Sequence, residues 1–312
     1  MKKPKIIKLR YGENPHQKGV FLPVESKDEL AMPKFKILQG KELSFNNILD
    51  IDAALYVISK TGREKPAAII IKHGNPCGAG LAKDIATAFQ KAWEGDPLSA
   101  FGGIIAVNRT VDKKLAQNMT KNFFEVLLAP EVIKEAKEIF KTKPNIRILV
   151  NSNLKNPQLP KTKDIKFVRG GMLVQDIARK EVRTKDLKFV TKKRPTKAQI
   201  KDLLFAFNIC EVSKSNAITI VKNEKVLGNG TGATARVYSA KRAVEIAEKR
   251  AKGGVAASDG FFPFTDSVEL FKKAGIKAMI QPGGSLADKK VIEYCNKNNI
   301  AMVFSGIRGF KH

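Results

Sequence analysis

Short apolar runs alternate with amphipathic stretches along most of the chain, and this alternation constrains the fold more than any other feature of the sequence. Runs such as 67–71 and 103–107 have the length of buried strands and are too short for buried helices. In the stretch 239–252, apolar residues between Ala243 and Ala247 fall on one face at helical spacing. Strands separated by amphipathic helices favour an α/β protein.

The same pattern predicts the individual elements and suggests an internal duplication. The predicted strands are 67–71, 103–107, 126–129, 146–150, 217–221, 254–257, 278–281 and 301–304. The predicted helices are 52–60, 82–93, 113–118, 131–140, 197–212, 239–252, 267–274 and 288–297. The segment 141–197 is rich in Lys, Pro and Asn, and we interpret it as a connection. The halves on either side resemble each other, which predicts units 1–196 and 197–312; chance similarity between two α/β units is the alternative.

The charge of the chain raises the question of its partners. It has 57 basic and 30 acidic residues, a formal net charge of +27. The densest basic runs, 161–166 and 185–197, contain a single aromatic residue, Phe189, and so lack the repeated interleaving of aromatic residues found in base-stacking surfaces. We therefore favour a solvated lysine-rich surface over a nucleic-acid site, with a field that attracts anionic small molecules as the functional alternative.

Several other classes are disfavoured by the sequence. No apolar stretch approaches the roughly 18 residues of a membrane span, and the basic N-terminus lacks the apolar segment of a signal peptide. We expect a cytoplasmic protein without membrane contact. The three cysteines are scattered and form no CxxC pair, so neither a disulfide framework nor a zinc site is expected.

The pair Lys72-His73 follows the apolar run 67–71 and precedes the segment 74–78, which contains Gly, Asn, Pro and Cys. This pattern predicts a buried strand that ends in a loop, a place where α/β sheets keep catalytic groups. Histidine exchanges protons near neutral pH, so His73 is a candidate general base beside a cation. Neighbouring strand residues point to opposite sides, so both can reach one ligand only if the strand ends here. A histidine that merely caps the strand is the alternative.

Two segments of the second half also suggest ligand contacts. The Gly-rich segment 228–236 is interpreted as a turn entering a helix, with free amides and Arg236 facing an anion. It lacks the acidic residue of a dinucleotide fingerprint. The segment 261–264 contains three phenylalanines followed by Asp266, and these residues either belong to the core or form a wall for a flat heterocycle.

Taken together, these segments closely resemble AICAR transformylase, the folate-dependent formyltransferase of purine synthesis. The segments that carry the resemblance occur in the family's order over the whole chain: RYGENPHQ, LQGKELSFNNILD, IKHGNPCGAG, DPLSAFGGIIAVN, KSNAI, the Gly-rich segment with Arg236, ASDGFFPF, IQPGGS and IRGFKH. In most organisms that enzyme is the C-terminal part of a bifunctional protein with an IMP cyclohydrolase domain. Because the motifs begin at Arg10, we expect that domain to be absent and a separate IMP cyclohydrolase to act on the product.

The resemblance implies a fold, a reaction and an assembly. The fold would be two tandem cytidine deaminase-like units, each a three-layer α/β/α structure with a mixed sheet, without that fold's zinc. The reaction would transfer the formyl group of 10-formyltetrahydrofolate to the 5-amino group of AICAR, giving FAICAR. The assembly would be a homodimer with shared active sites.

The resemblance also assigns roles to residues. His73 would accept the proton, Lys72 would stabilise the transition state and Asn216 would orient His73. Contacts to AICAR would come from Arg10, Tyr11, Gly102, Glu125, Arg236, Phe261 and Arg308. Contacts to the folate would come from Val237, Phe261, Asp266, Ser285 and Leu286.

These roles agree with the chemistry, because the conjugated 5-amine is a poor nucleophile that needs a base and because the attack creates an oxyanion. One alternative function is a non-catalytic nucleotide- or RNA-binding protein that uses the basic surface. A deaminase is the other alternative, and the absence of a His/Cys metal set argues against it.

Overall fold

A computed structural model describes residues 6–312 of the chain. The strands are β1 (Ile7–Lys8), β2 (Val20–Phe21), β3 (Lys36–Gln39), β4 (Ala67–Lys72), β5 (Asn75–Leu81), β6 (Ile104–Val107), β7 (Val126–Ala129), β8 (Arg147–Val150), β9 (Lys163–Val168), β10 (Gly171–Asp176), β11 (Lys188–Phe189), β12 (Ile218–Lys222), β13 (Lys225–Gly230), β14 (Val255–Ser258), β15 (Ala278–Gln281) and β16 (Ala301–Phe304). The α-helices are α1 (Phe45–Thr61), α2 (Ile85–Gly95), α3 (Pro97–Ala100), α4 (Lys113–Met119), α5 (Lys134–Phe140), α6 (Lys197–Cys210), α7 (Arg236–Ala247), α8 (Asp266–Lys273) and α9 (Asp288–Lys297). Short 3₁₀ turns occupy Met32–Lys34, Ser152–Lys155, Thr184–Asp186 and Glu248–Ala251.

Within residues 6–312, twelve strands form one mixed sheet in the order β11-β16-β15-β14-β12-β13-β5-β4-β6-β7-β8-β3. The order reads the same from both ends: each half has an antiparallel hairpin at the centre, three parallel strands and an antiparallel edge strand. The halves meet where β13 runs antiparallel to β5, at the pair Lys225 and Gly80. This symmetry supports the interpretation of the chain as a duplication.

Helices cover both faces of the sheet, so the predicted α/β fold with three layers is confirmed. On one face α1 and α6 pack against each other over a single apolar core that contains strand residues of both halves. On the other face the two halves have separate cores, beneath α2, α4 and α5 in the first half and α7, α8 and α9 in the second. In the part of the chain described, no helix has the length and apolar character needed to cross a membrane.

The boundary between the predicted units 1–196 and 197–312 stays a prediction. α6 begins at Lys197, as the sequence indicated. The edge strand β11 precedes that point and pairs with β16 of the second half. The last part of the connecting segment therefore completes the second half of the sheet.

Two strands were wrongly interpreted as glycine-rich loops. The segment 74–78 belongs mostly to β5, and 228–230 ends β13. The glycines serve close helix packing: a Cβ on Gly78 would lie 2.1 Å from the carbonyl oxygen of Ala92 in α2, and one on Gly230 would lie 2.0 Å from that of Ser239 in α7. Glycine here marks a strand with a helix backbone directly above it, a role that sequence alone does not separate from a turn.

The connecting segment also contains a hairpin that the sequence did not predict. β9 and β10 pair with each other and with no strand of the large sheet. One face of this hairpin is apolar and exposed, formed by the cross-strand pairs Ile165–Val174 and Phe167–Met172. The alternation is hard to read from the sequence, because the intervening positions hold the apolar Val168 and Leu173 as well as the polar Asp164, Lys166 and Gln175.

Candidate active site

All residues predicted for the site lie along one edge of the sheet. Strand directions place the C-terminal ends of β4 and of β13 to β16 at the same edge as the N-terminal ends of β5 to β8. The predicted residues follow or precede those ends, or pack beside them. The first half contributes Arg10, Tyr11, Lys72, His73, Gly102 and Glu125, and the second half contributes Asn216, Arg236, Val237, Phe261, Asp266, Ser285, Leu286 and Arg308. Their roles stay predictions.

The Lys72-His73 pair lies where β4 turns into β5. Lys72 is the last residue of β4, and His73 and Gly74 adopt left-handed conformations with φ of 48° and 74°. Two consecutive residues with positive φ are the signature of a tight hairpin turn whose twist matches its strands. The predicted end of the strand is confirmed, although a two-residue turn follows it in place of a loop. His73 is exposed at this turn.

The Lys72 ammonium contacts the segment that precedes β6. Its Nζ donates a hydrogen bond of 2.7 Å to the carbonyl oxygen of Phe101. Gly102 adopts φ of 70°, and a Cβ there would lie 2.9 Å from Nζ. Glycine at this position therefore leaves the space that the ammonium occupies, and the structure brings these two predicted residues together.

Two phenylalanines beside Lys72 were missed. The rings of Phe101 and Phe123 lie 5.0 Å apart between centroids, and both side chains are more than half exposed. Leu98 is exposed in the same region. An apolar wall thus flanks the Lys72 ammonium, as expected for a site that binds a flat molecule. The available signal was Phe101 itself, which directly precedes two glycines.

α1 supplies two further polar side chains that sequence reasoning missed. Its N-cap Ser44 forms a capping box with Asn47, so the helix begins earlier than the predicted residue 52. Asn47 Nδ2 donates to Glu125 Oε2 at 3.0 Å, and one turn later Asp50 Oδ1 accepts a hydrogen bond of 2.6 Å from the Gly74 amide. The signal for both was a polar residue within an otherwise apolar helical pattern.

Burial raises the pKa of Asp50, while the amides of Gly74 and His73 and the charges of His73 and Lys72 lower it. The carboxyl group is therefore close to the candidate catalytic pair. Asp50 is the side chain that links α1 to the turn.

Arg147, which the sequence analysis missed, lies close to Glu125 and to Arg10 and Tyr11 of the segment RYGENPHQ. The Arg147 guanidinium lies 3.5 Å from Glu125 Oε2, and burial lowers the pKa of Arg147 while Glu125 raises it. Arg10 and Tyr11 also affect this pKa, so they lie nearby, and the Arg10 guanidinium lies 5.2 Å from the centre of the Tyr11 ring. The structure thus groups Arg10, Tyr11 and Glu125, as predicted for one ligand.

The second half of the chain contacts the Lys72-His73 turn through the segment 214–216, which precedes β12. The Lys214 amide donates to Asn75 Oδ1 at 3.0 Å, and Asn75 Nδ2 donates to the His73 carbonyl oxygen at 3.1 Å. Asn216 follows two residues later. Its Nδ2 donates to the carbonyl oxygens of Ala233 and Thr234, and its Oδ1 accepts from Arg236 at 2.5 Å. These contacts orient Arg236. The Asn216 side chain makes its hydrogen bonds to Ala233, Thr234 and Arg236, and none of them is to His73.

Arg236 is buried at the start of α7. Its guanidinium donates to the Asp259 carboxylate and to Ser258 Oγ. The Asp259 side chain is fully buried, and Ser215 Oγ donates to it as well. The expectation that Arg236 faces an open anion site is therefore wrong for this structure: its charge is already matched by Asp259. Whether it contacts AICAR stays a prediction.

Four of the five predicted folate residues lie after β14 and β15, and Val237 lies in the first turn of α7. Phe262 is fully buried, whereas Phe261 and Phe264 are exposed, so the aromatic run serves both the core and a surface wall. Leu286 is fully exposed on the neighbouring loop. Asp266 begins α8, where its Oδ1 accepts from the Ser267 amide, and the Ser285 amide donates to Asp288 Oδ2. The fold brings these loops together because β14 and β15 are parallel neighbours.

The C-terminal segment completes this edge. The Gly309 amide donates to the Asp259 carbonyl oxygen at 2.8 Å, and the Arg308 guanidinium lies 4.6 Å from the centre of the Phe310 ring. Gly260 permits this packing, because a Cβ there would lie 2.5 Å from an Arg236 nitrogen and 2.7 Å from the Phe310 ring.

The cysteine thiols are held in their protonated form. Burial raises the pKa of the Cys77 and Cys295 thiols to about 12, and that of Cys210 well above its ordinary value. Over residues 6–312, no group of three or more His, Cys, Asp or Glu side chains is arranged to hold a metal ion.

A cavity of about 640 Å³ opens at the opposite edge of the sheet, lined by residues that include Lys65, Lys91 and Glu224. None of the predicted site residues lines it. The predicted site residues lie at the other edge of the sheet, beside the exposed rings of Phe101 and Phe123.

The chain was also compared with known proteins. Residues 1–246 match the family model described as AICARFT/IMPCHase bienzyme. Three similar relatives are each described as bifunctional purine biosynthesis protein PurH. The protein of Ruminiclostridium cellulolyticum is 45% identical over 304 residues, which are 97% of this chain and 59% of the relative. That of Acetivibrio thermocellus is 45% identical over 309 residues, 99% and 60% of the two chains. That of Aquifex aeolicus is 44% identical over 311 residues, again 99% and 60%. The chain thus spans about 60% of the length of these relatives.

Proposed function

The chain belongs to the AICARFT/IMPCHase bienzyme family, and on that premise we propose that it transfers the formyl group of 10-formyltetrahydrofolate to the 5-amino group of AICAR. The product would be FAICAR, an intermediate of de novo purine biosynthesis, made in the cytoplasm. The single observation that supports the proposal most is the Lys72-His73 turn, where an exposed imidazole follows an ammonium beside an apolar wall at the shared edge of the sheet.

The turn contains the two groups that formyl transfer needs. His73 accepts the proton that the 5-amine loses as it attacks the formyl carbon, and a positioned base contributes roughly 10²–10⁴-fold. The attack forms a C–N bond and leaves an oxyanion on the former carbonyl oxygen. The Lys72 ammonium stabilises that charge, since its Nζ is fixed by the Phe101 carbonyl oxygen and has two further hydrogens to donate. Collapse of the intermediate breaks the bond to N10 of the folate, and N10 leaves with the proton that the protonated His73 returns.

The apolar and polar groups at the edge fit the two substrates. The exposed rings of Phe101 and Phe123 flank Lys72, and the exposed Phe261 and Phe264 precede Asp266 in the segment after β14. Flat heterocycles stack on such rings, and a carboxylate accepts hydrogen bonds from ring N–H groups. The high positive charge of the chain favours a nucleotide phosphate and a glutamyl tail.

Strand spacing supports a homodimer with shared sites. Strands lie about 4.8 Å apart, and five spacings separate β4 from β15, so Lys72 and Ser285 are roughly 24 Å apart along the edge. The first half of one chain presents Lys72, His73 and four of the seven proposed AICAR residues, and the second half presents the other three together with the proposed folate residues. In a homodimer, the first-half residues of one copy would face the second-half residues of the other copy, so that each site would contain residues of both chains.

The hairpin of β9 and β10 is the surface that we expect the second copy to cover. A two-stranded hairpin with an exposed apolar face is marginally stable alone, and its Ile165, Phe167, Met172 and Val174 side chains are all more than half exposed. We expect Phe167→Asp to weaken dimerisation at least tenfold in sedimentation equilibrium. Leu173→Asp, on the opposite face of the same strand pair, is the matched control. A wild-type monomer, or a Phe167→Asp dimer as tight as wild type, would contradict this expectation.

Closure of FAICAR to IMP is a second reaction. None of the residues at this edge of the sheet is assigned to it, and we expect a separate IMP cyclohydrolase to perform it.

The proposal is tested by mixing the purified chain with AICAR and 10-formyltetrahydrofolate and following tetrahydrofolate release. Sustained turnover that requires both substrates supports it; a folded protein without turnover would overturn it. The alternative of a non-catalytic nucleotide- or RNA-binding protein is tested in parallel. A phosphate-driven RNA binder would lose affinity steeply with salt and would release no tetrahydrofolate.

A further inference from the structure

The turn that contains His73 has a structural counterpart in the second half of the chain. β12 ends at Lys222, and Asn223 and Glu224 then adopt φ of 55° and 56° before β13 begins. The order Lys, left-handed residue, left-handed residue is thus the same in both halves. Asn223 occupies the position of His73, so the second half retains the turn without the imidazole.

The lysines of the two turns make equivalent contacts. Lys222 Nζ donates to the Lys252 carbonyl oxygen at 2.9 Å, just as Lys72 Nζ donates to that of Phe101. In each half the accepting residue is followed by a glycine with positive φ, Gly253 at 81° and Gly102 at 70°. The equivalence therefore extends beyond the turn to the strand beside it.

In each half, an aspartate of a neighbouring helix accepts hydrogen bonds from backbone amides of the turn. Asp50 and Asp202 are each the sixth residue of their helices, α1 and α6. Asp202 accepts from the amides of Asn223 and Glu224 at 2.9 and 2.7 Å, and Asp50 accepts from the amide of Gly74 at 2.6 Å. The occurrence of the same contact twice in one chain is strong evidence that the turn depends on it.

The contact matters because the turn conformation is unfavourable for residues with side chains. A left-handed backbone costs energy at every residue except glycine, so His73 adopts it only where the surroundings enforce it. Asp50 fixes the amide that follows His73 and so determines the direction in which the imidazole leaves the backbone. The hydrogen bond of Asp50 is to the Gly74 backbone amide, so Asp50 acts on the backbone of the turn.

We propose that Asp50 is a positioning residue that holds the Lys72-His73 turn, and thereby the imidazole, in the conformation for proton transfer. The inference rests on the proposed function for its kinetic consequence. Asp202 performs the same structural task in the second half, where no imidazole depends on it.

The repeat supplies a matched control for the test. We expect Asp50→Ala to lower kcat about tenfold or more with KM for both substrates changed less than threefold, because the base is misaligned while the binding residues remain. Asp50→Asn should recover most of the rate, since its amide oxygen still accepts from Gly74. Asp202→Ala removes the equivalent contact and should leave kcat within twofold of wild type.

A second readout is independent of turnover. The chain has three histidines, His16, His73 and His312, so the imidazole C2–H region of its NMR spectrum is simple to assign. Asp50→Ala should shift the His73 resonance, and Asp202→Ala should not. If wild type lacks turnover, the proposed function fails while this spectrum still tests Asp50. An unmoved His73 resonance in Asp50→Ala, or an equal loss of kcat in both alanine variants, would overturn the inference.

Discussion

If the proposed reaction is correct, His73→Ala is expected to lower kcat by about 10²–10⁴-fold and to leave the fold intact. The rate loss is that expected when a positioned general base is removed from a reaction whose nucleophile is a poorly basic amine. The fold survives because the His73 side chain is exposed and because the hydrogen bonds of the turn use the Gly74 amide and the His73 backbone carbonyl, both of which the variant keeps. Tetrahydrofolate release measures the rate, and circular dichroism with a thermal melt measures the fold.

Asn223→Ala is the control for this prediction. It places alanine at the equivalent exposed left-handed position of the second half, so it imposes the same backbone penalty without removing an imidazole. The two variants should therefore have similar melting temperatures and very different rates. A His73→Ala enzyme with near-normal kcat would exclude His73 as the base.

Lys60→Met lowers the free energy of unfolding by about 3–5 kcal/mol, the range observed when one partner of a buried ion pair is removed. Lys60 Nζ lies 2.8 Å from Glu211 Oε1, and the two side chains are 1% and 6% exposed. The pair joins the last turn of α1 to the end of α6 within the core shared by both halves. Without the ammonium, the Glu211 carboxylate is buried without a cation. Urea unfolding at pH 7 measures the effect.

The destabilisation should depend on pH. Burial raises the pKa of Glu211, and Lys60 opposes that rise. A carboxyl group with a raised folded-state pKa is fully compatible with the fold below its ordinary pKa and costs stability as pH rises toward the raised value. The difference between Lys60→Met and wild type should therefore be largest near neutral pH and shrink as pH falls toward 4.5 and below.

Two further variants isolate the buried charge. Lys60→Met combined with Glu211→Leu should recover most of the lost stability, because apolar residues can replace a buried pair. Lys141→Met breaks an exposed pair with Glu138 and should cost no more than about 1 kcal/mol. A Lys60→Met protein within about 1 kcal/mol of wild type at pH 7 would show that the pair is not important for stability.

The sequence predicted the strands of the sheet where apolar residues form unbroken runs, as in Val126–Ala129 and Ala278–Gln281, because complete burial leaves only one interpretation. It failed for β5 and β13, whose glycines allow α2 and α7 to pack closely. It also missed the first seven residues of α1, since Asn46 and Asn47 interrupt the apolar periodicity there.

The candidate site was predictable where chemistry and position coincide in one motif, as in Lys72-His73. Asp50, Asn47 and Arg147 were missed because their partners lie 24, 78 and 22 residues away in the sequence. Contacts at such separations depend on how helices and strands assemble. The ion pair of Arg236 was missed for the same reason, since its counter-charge Asp259 comes from a different strand end.

The layer formed by α1 and α6 has an evolutionary consequence. At the seam of the sheet the repeats share only a short strand pairing, whereas beneath it they bury one continuous apolar surface. Each repeat is thus a scaffold for the other, whatever chemistry it performs itself. A chain whose halves are held together in this way can change one turn without losing the other, and the second half has Asn223 where the first has His73.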